Sequence, residues 1–214
     1  MARHKPRSAR AFRRQRATRE PYDLVLLVCE GEKTEPEYLK GLQKLHRLSN
    51  ANITIVPGNG NDPVSIVKHA LDAYRKAGGD FNRVFCVFDR DSHANYQEAL
   101  DLVANSPRGR QGKLTAITSV PCFEIWVLLH FAYTTAPFVT SGGRSACENV
   151  IGVIRDHMPE YQKALGGVFE QLWPYVETAL THGMRLAQHN RDTGSPNPAT
   201  KVQELVKYLR ELKK

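Results

Sequence analysis

Five apolar residues, Val84-Phe85-Cys86-Val87-Phe88, run without a break into Asp89-Arg90-Asp91, and this stretch constrains the fold more than any other. A short continuous apolar run suits a strand buried on both faces, as in a parallel sheet covered by helices. Its acidic exit then lies at the carboxyl edge of the sheet, where open α/β folds place their sites. Two carboxylates one residue apart repel each other unless a cation or a proton lies between them. A hard divalent ion with oxygen ligands, Mg²⁺ or Mn²⁺, resolves that repulsion at neutral pH. The plainer reading is a strand that ends in a polar loop, with Arg90 offsetting the charge.

A second apolar run, Leu24 to Cys29, also ends in an acid, Glu30, and is followed at once by Gly31-Glu32-Lys33-Thr34-Glu35-Pro36. Thr34 and Glu37 have the spacing of a capping box, and Pro36 is tolerated in a first helical turn. Tyr38, Leu42, Leu45 and Leu48 then share one helix face. Gly31 to Thr34 is therefore a strand-to-helix turn, a place where backbone N–H groups meet phosphates. It is not a P-loop, because G-x-x-x-x-G-K-[ST] is absent, which argues against ATP hydrolysis by that route.

Ile53-Thr54-Ile55-Val56 and Leu114 to Thr118 read as two further strands. Between the strands lie helical stripes at Ile66, Val67, Ala70, Leu71 and Tyr74, capped by Asp62-Pro63, and at Tyr96, Ala99, Leu100 and Val103. Strands alternating with helices at this spacing predict an α/β fold with a parallel sheet and right-handed crossovers. In such a sheet the acidic ends at Glu30 and at Asp89/Asp91 can lie side by side, which makes the metal reading the better one.

Past residue 118 the pattern changes. Ser119 to Phe131 reads as a buried helix, apolar nearly all round. Glu124, near its start, either caps its own helix or points at the metal site. His130 reads as a core histidine. Thr140 to Arg144 is a flexible joint. The remainder reads as helices: Val150 to Met158, Val168 to Gln188 with a start or kink near Pro174, and a last one opened by Asn197-Pro198. The expected organisation is a basic arm at 1–20, an α/β core at 21–135 and a helical extension at 136–214.

The net charge of +8 is a property of the arm: residues 1–20 balance at +7 and the other 194 at +1. Arg3, Lys5, Arg7, Arg10, Arg13, Arg14, Arg16 and Arg19 have almost nothing apolar beside them, so the arm is expected to be disordered in isolation. It suits nucleic-acid phosphates, with salt-dependent, sequence-blind affinity; a solubilising tail or an acidic protein contact is the alternative. Cys29, Cys86, Cys122 and Cys147 contain no C-x-x-C pair, which argues against a zinc ribbon or a small disulfide scaffold and points to a reducing cytoplasm. No apolar run approaches membrane-spanning length.

The apolar strand closed by Glu30-Gly31, followed by the apolar strand closed by Asp89-Arg90-Asp91, resembles the Toprim signature of topoisomerases, primases and OLD-type nucleases. More closely, four blocks resemble RloB-like proteins: Cys29-Glu30-Gly31-Glu32-Lys33-Thr34-Glu35, Asp89-Arg90-Asp91-Ser92-His93, Pro121-Cys122-Phe123-Glu124-Ile125-Trp126 through His130-Phe131, and Asn197-Pro198-Ala199-Thr200. The resemblance runs from about residue 22 through the whole body. It implies a four-stranded parallel Toprim-like core with an α-helical C-terminal extension. It also implies a prokaryotic anti-phage setting beside a partner ATPase of the AAA type. By matching position Glu30, Asp89 and Asp91 are the metal-binding acids.

The expected activity is Mg²⁺- or Mn²⁺-dependent phosphodiester hydrolysis of RNA, tRNA among the candidates, or of DNA. Glu124 is an additional ligand candidate, and Lys33 a candidate to stabilise developing charge. Glu30 acts as ligand or as general acid/base; Glu32 competes with it but lies out in the turn. His93 is a base or an N-cap neighbour, and Asn197 and Thr200 match the family blocks without an assigned role. The alternative is a catalytically silent module that binds nucleic acid or a partner and holds structural Mg²⁺. Whether the chain forms a homo-oligomer is left open.

Overall fold

The computed structural model describes residues 23–46, 48, 53–57, 62–90 and 93–212; the basic arm at 1–20 and Asp91 lie outside them. Strands β1 (Val25–Cys29), β2 (Ile53–Pro57), β3 (Arg83–Asp89) and β4 (Leu114–Val120) are parallel, and β5 (Ala199–Thr200) runs antiparallel, in the order β2-β1-β3-β4-β5. The four expected strands are thus joined by a fifth. It comes from the stretch expected to open the last helix, because Asn197-Pro198 precedes a bridge to β4 and the helix begins only at Val202.

Side chains alternate across the pleat, so each strand feeds two cores. Leu26, Val28, Val84, Cys86 and Phe88 pack on one face against α2 (Pro63–Lys76) and α3 (Tyr96–Asn105). Val25, Leu27, Cys29, Phe85 and Val87 face the larger core on the other side. There lie α1 (Thr34–Leu45), α5 (Glu124–Leu128), α6 (Ala146–Arg155), α7 (Val168–Leu172), α8 (Val176–Thr193) and α9 (Val202–Glu211), while the short α4 (Pro107–Arg110) leads into β4. The α7–α8 step falls at Trp173-Pro174-Tyr175, a 3₁₀ turn. Proline removes an N–H donor there, which fits the interruption.

Three local expectations are corrected. The stretch at 119–131 is buried through His130 with Phe131 half-buried, but Ser119 and Val120 belong to β4 and only Glu124–Leu128 is regular helix. The Thr34–Glu37 capping box does not form; the Thr34 hydroxyl accepts instead from the Ala164 N–H at 3.1 Å. Cys122 and Cys147 are joined in a disulfide, while Cys29 and Cys86 are free and buried. The pairing links the β4–α5 turn to α6 across 25 residues, a separation that spacing rules cannot read. No described helix is long and apolar enough to cross a membrane.

Candidate active site

The site is built where β1 and β3 end beside each other. Their parallel register sets Cys29 against Val87, and the next N–H, that of Glu30, donates to Val87 O at 2.9 Å. Glu30 is thereby fixed at the sheet edge. Its Oε2 accepts the Asp89 backbone N–H at 3.0 Å, and its Oε1 lies 3.0 Å from His93 Nε2. His93 is therefore neither remote nor a simple cap: the N-cap of α3 is Asn95, and the imidazole pairs with Glu30.

Two acids from the helix side close on the same edge. Glu35, second residue of α1, is buried and folds back over the turn. A Cβ at position 31 would stand 1.9 Å from Glu35 Oε2, so a larger residue in the E-G-E turn would displace the Glu35 carboxylate. Glu124 opens α5 and is 1% exposed, held by a helix whose Ile125, Trp126, Val127 and Leu128 are all core. Burying each such apolar side chain contributes roughly 1.5–3 kcal/mol, which anchors a carboxylate that water would otherwise draw out. Glu124 Oε2 lies 3.7 Å from Lys163 Nζ and 3.2 Å from Cys147 Sγ.

The four carboxylates sense one another. Burial raises the Glu35 pKa to about 7, its own backbone N–H works against the shift, and the charges of Glu124 and Glu30 add to it while Lys163 opposes them. Burial likewise lifts Asp89 well above the usual carboxylate range, aided by Glu35 and Glu124 and partly offset by the Phe123 N–H. Low solvation and like charge act in the same direction, which is the condition that a proton or a cation relieves.

The donor set is all oxygen, as Mg²⁺ and Mn²⁺ require. The spacing is looser than a closed metal cage. Among the described residues the trio of potential ligands with donor atoms all within 4.8 Å is Cys122, Glu124 and Cys147, with its two sulfurs bonded to each other. No trio drawn from Glu30, Glu35, Asp89 and Glu124 is that tight. Together they offer the oxygen donors that a hard divalent ion takes, without the spacing of a closed cage.

The remaining sequence candidates separate. Glu32 and Lys33 are exposed and line, with Glu35, Glu124 and Lys163, a cleft of about 240 Å³. Thr200 sits in β5 and its hydroxyl lies 3.1 Å from Ser119 Oγ, the residue paired in register with Asp89. Asn197 is a brace, donating to Phe138 O at 2.7 Å and accepting Phe138 N–H at 3.2 Å. Asp91 lies outside the described residues. Sequence reasoning missed Glu35 and Lys163. Glu35 was visible as the last acid of the C-E-G-E-K-T-E block; Lys163, on the link between α6 and α7, had no local signal.

Comparison with known families matches residues 25–209 to the model described as RloB-like protein. No curated protein and no solved structure matches the chain.

Proposed function

We propose a function on one premise: the chain belongs to the RloB-like protein family. It is a metal-dependent nuclease that hydrolyses phosphodiester bonds. The observation that supports this most is the convergence of Glu30, Glu35, Asp89 and Glu124, from two adjacent strands and two helices, on one sheet edge.

In this reading Asp89 and Glu124, with Asp91, would hold Mg²⁺ or Mn²⁺, which supplies charge neutralisation at the phosphate and a lower pKa for an attacking water. Glu35 gives up or takes a proton near neutral pH, because burial sets it about midway between its two forms there. Glu30 is a positioning residue: with both oxygens engaged it aligns the Asp89 backbone and orients His93. Lys163 and Lys33 flank the cleft and bring positive charge to a bound phosphate. The substrate is nucleic acid, the arm at 1–20 adds sequence-blind phosphate contacts, and the setting is anti-phage defence beside a partner ATPase.

The test is cleavage of mixed tRNA, single-stranded DNA and duplex DNA by purified protein in Mg²⁺, Mn²⁺ or EDTA, beside Asp89→Asn. Metal-dependent products that fall at least about a hundredfold in the variant, with thermal unfolding unchanged, are expected. Nucleic acid bound equally by both proteins and cut by neither, alone or with the partner ATPase, would instead establish a silent binding module.

A further inference from the structure

The trio of donor atoms that closes to within 4.8 Å joins three separate parts of the fold. Cys122 lies in the turn between β4 and α5, Glu124 opens α5, and Cys147 is in the first turn of α6. All three are buried. The core packs α5 against α6, and the capping box of Ser145 and Glu148 fixes where α6 begins. The three positions therefore do not depend on the S–S bond alone. The free thiols cannot form a like pair, since Cys29 and Cys86 face opposite sides of the sheet.

The chain is made with both sulfurs as thiols, and a reductant of the dithiol class restores that form. Two electrons and two protons pass to the S–S bond, and the reductant closes to its own disulfide. Each sulfur is then a ligand for a borderline-soft ion. Zn–S bonds of about 2.3 Å and a Zn–O bond of about 2.0 Å set tetrahedral donors roughly 3.5–3.8 Å apart. Glu124 Oε2 already lies 3.2 Å from Cys147 Sγ, and the two cysteine Cα atoms are 5.8 Å apart. The backbone thus holds both sulfurs close enough to share one ion with the carboxylate.

Charge favours the same ion. Two thiolates and a carboxylate carry three negative charges, which Zn²⁺ and Lys163, 3.7 Å from Glu124 Oε2, balance. The surroundings screen poorly: burial, then the charges of Glu124 and Glu35, raise the pKa of Tyr161. Glu124 also lines the cleft of about 240 Å³, which gives the ion an entry and a water for its fourth position.

We infer that the dithiol form of Cys122 and Cys147, together with Glu124, is a Zn²⁺ site with three protein ligands, abolished when the disulfide forms. Zinc there takes the carboxylate that the hard ion also uses, and the disulfide returns Glu124 to the cleft. The zinc site is independent of the nuclease reading; the exchange of Glu124 between two ions rests on it.

The experiment titrates the full chain with Co²⁺, the spectroscopic stand-in for Zn²⁺, in excess Mg²⁺. A reduced preparation, made with a phosphine and freed of it without oxygen, runs beside the disulfide form. Thiol counts in denaturant, four against two per chain, identify each form. The reduced chain is expected to take up a single Co²⁺ with a thiolate-to-cobalt charge-transfer band, which stoichiometric Zn²⁺ abolishes. The disulfide form is expected to show no such band. Cys147→Ser should lose at least half of the band, and Glu124→Gln should keep it while binding about tenfold or more weakly. Zinc-edge X-ray absorption of the reduced wild type needs no variant to fold, and should show two sulfurs at about 2.3 Å with oxygen at about 2.0 Å.

No thiolate band in the reduced chain, the same band in the disulfide form, or oxygen and nitrogen ligands alone at the zinc edge would each overturn the inference. So would a band untouched by Cys147→Ser. None of these readouts involves nucleic acid, so a failed cleavage assay leaves the zinc site standing, and their failure leaves the nuclease standing.

Discussion

Two strand-to-helix connections at the same sheet edge each bring an acid to a helix start, Asp62 in one and Glu35 in the other, and the chemistry around these two acids is opposite. Asp62, after β2, is the N-cap of α2 and is surrounded by donors: the Ser65 N–H at 3.1 Å, the Ser65 hydroxyl, and Asn95 Nδ2 at 2.6 Å. Those bonds, led by the Ser65 hydroxyl, hold its pKa down. Glu35, after β1, is buried with Glu124 and Glu30 for neighbours, and its pKa is pushed up to about 7. An acid at a helix start is ordinarily a cap. The one short of donors and crowded by carboxylates is the one available for proton transfer or metal binding.

The comparison is broken most forcefully at Glu35. Glu35→Gln is expected to lower cleavage about a hundredfold. The same variant has a stability signature with a fixed sign. A folded-state pKa raised from 4.5 to about 7 gives stability that is fully present below 4.5 and lost as pH rises through about 7. In the absence of divalent ions, urea unfolding should show the variant more stable at pH 8 than the wild type, by on the order of 3 kcal/mol, with the gap absent at pH 4. No pH dependence of that gap would remove Glu35 from the site.

Asp62→Ala should do the converse, costing about 1 kcal/mol of stability through the lost cap while cleavage stays within twofold. A large loss of cleavage there would erase the contrast between the turns. The smallest effect is expected at Lys163→Met. Because Lys163 opposes the upward shift of Glu35, its removal should move the limb of the pH–rate profile that reports Glu35 to higher pH. Cleavage at low salt should fall only about threefold, as befits a lysine whose side chain is 55% exposed.

The strands and their acidic ends were readable because each is local: a run of apolar residues, then a charge. Glu30 and Asp89 followed from that pattern, and their adjacency from the parallel topology it implies. Glu35 was harder, since a first-turn glutamate looks like a favourable helix-dipole contact until tertiary burial strips its solvent. Tyr161, Lys163 and the Cys122–Cys147 bond lie on or against segments brought in from the helical region, with no periodicity to announce them. Asn197-Pro198 was misread for a related reason: proline near a helix start is common, and only pairing with β4 turns Ala199–Thr200 into a strand.

That two-residue strand has a consequence for how the molecule comes to be made. β4 ends the parallel part of the sheet, and its free edge offers unpaired backbone groups to any extended segment nearby. The protein's own partner for that edge, at 199–200, is synthesised some 80 residues after Ser119, which it must meet. During that interval a nascent chain carries an open, apolar-flanked edge, a state prone to wrong pairing between copies. Thr200 then acts as a late latch, and the sheet edge beside Asp89 is sealed only after the helical region between them has been made.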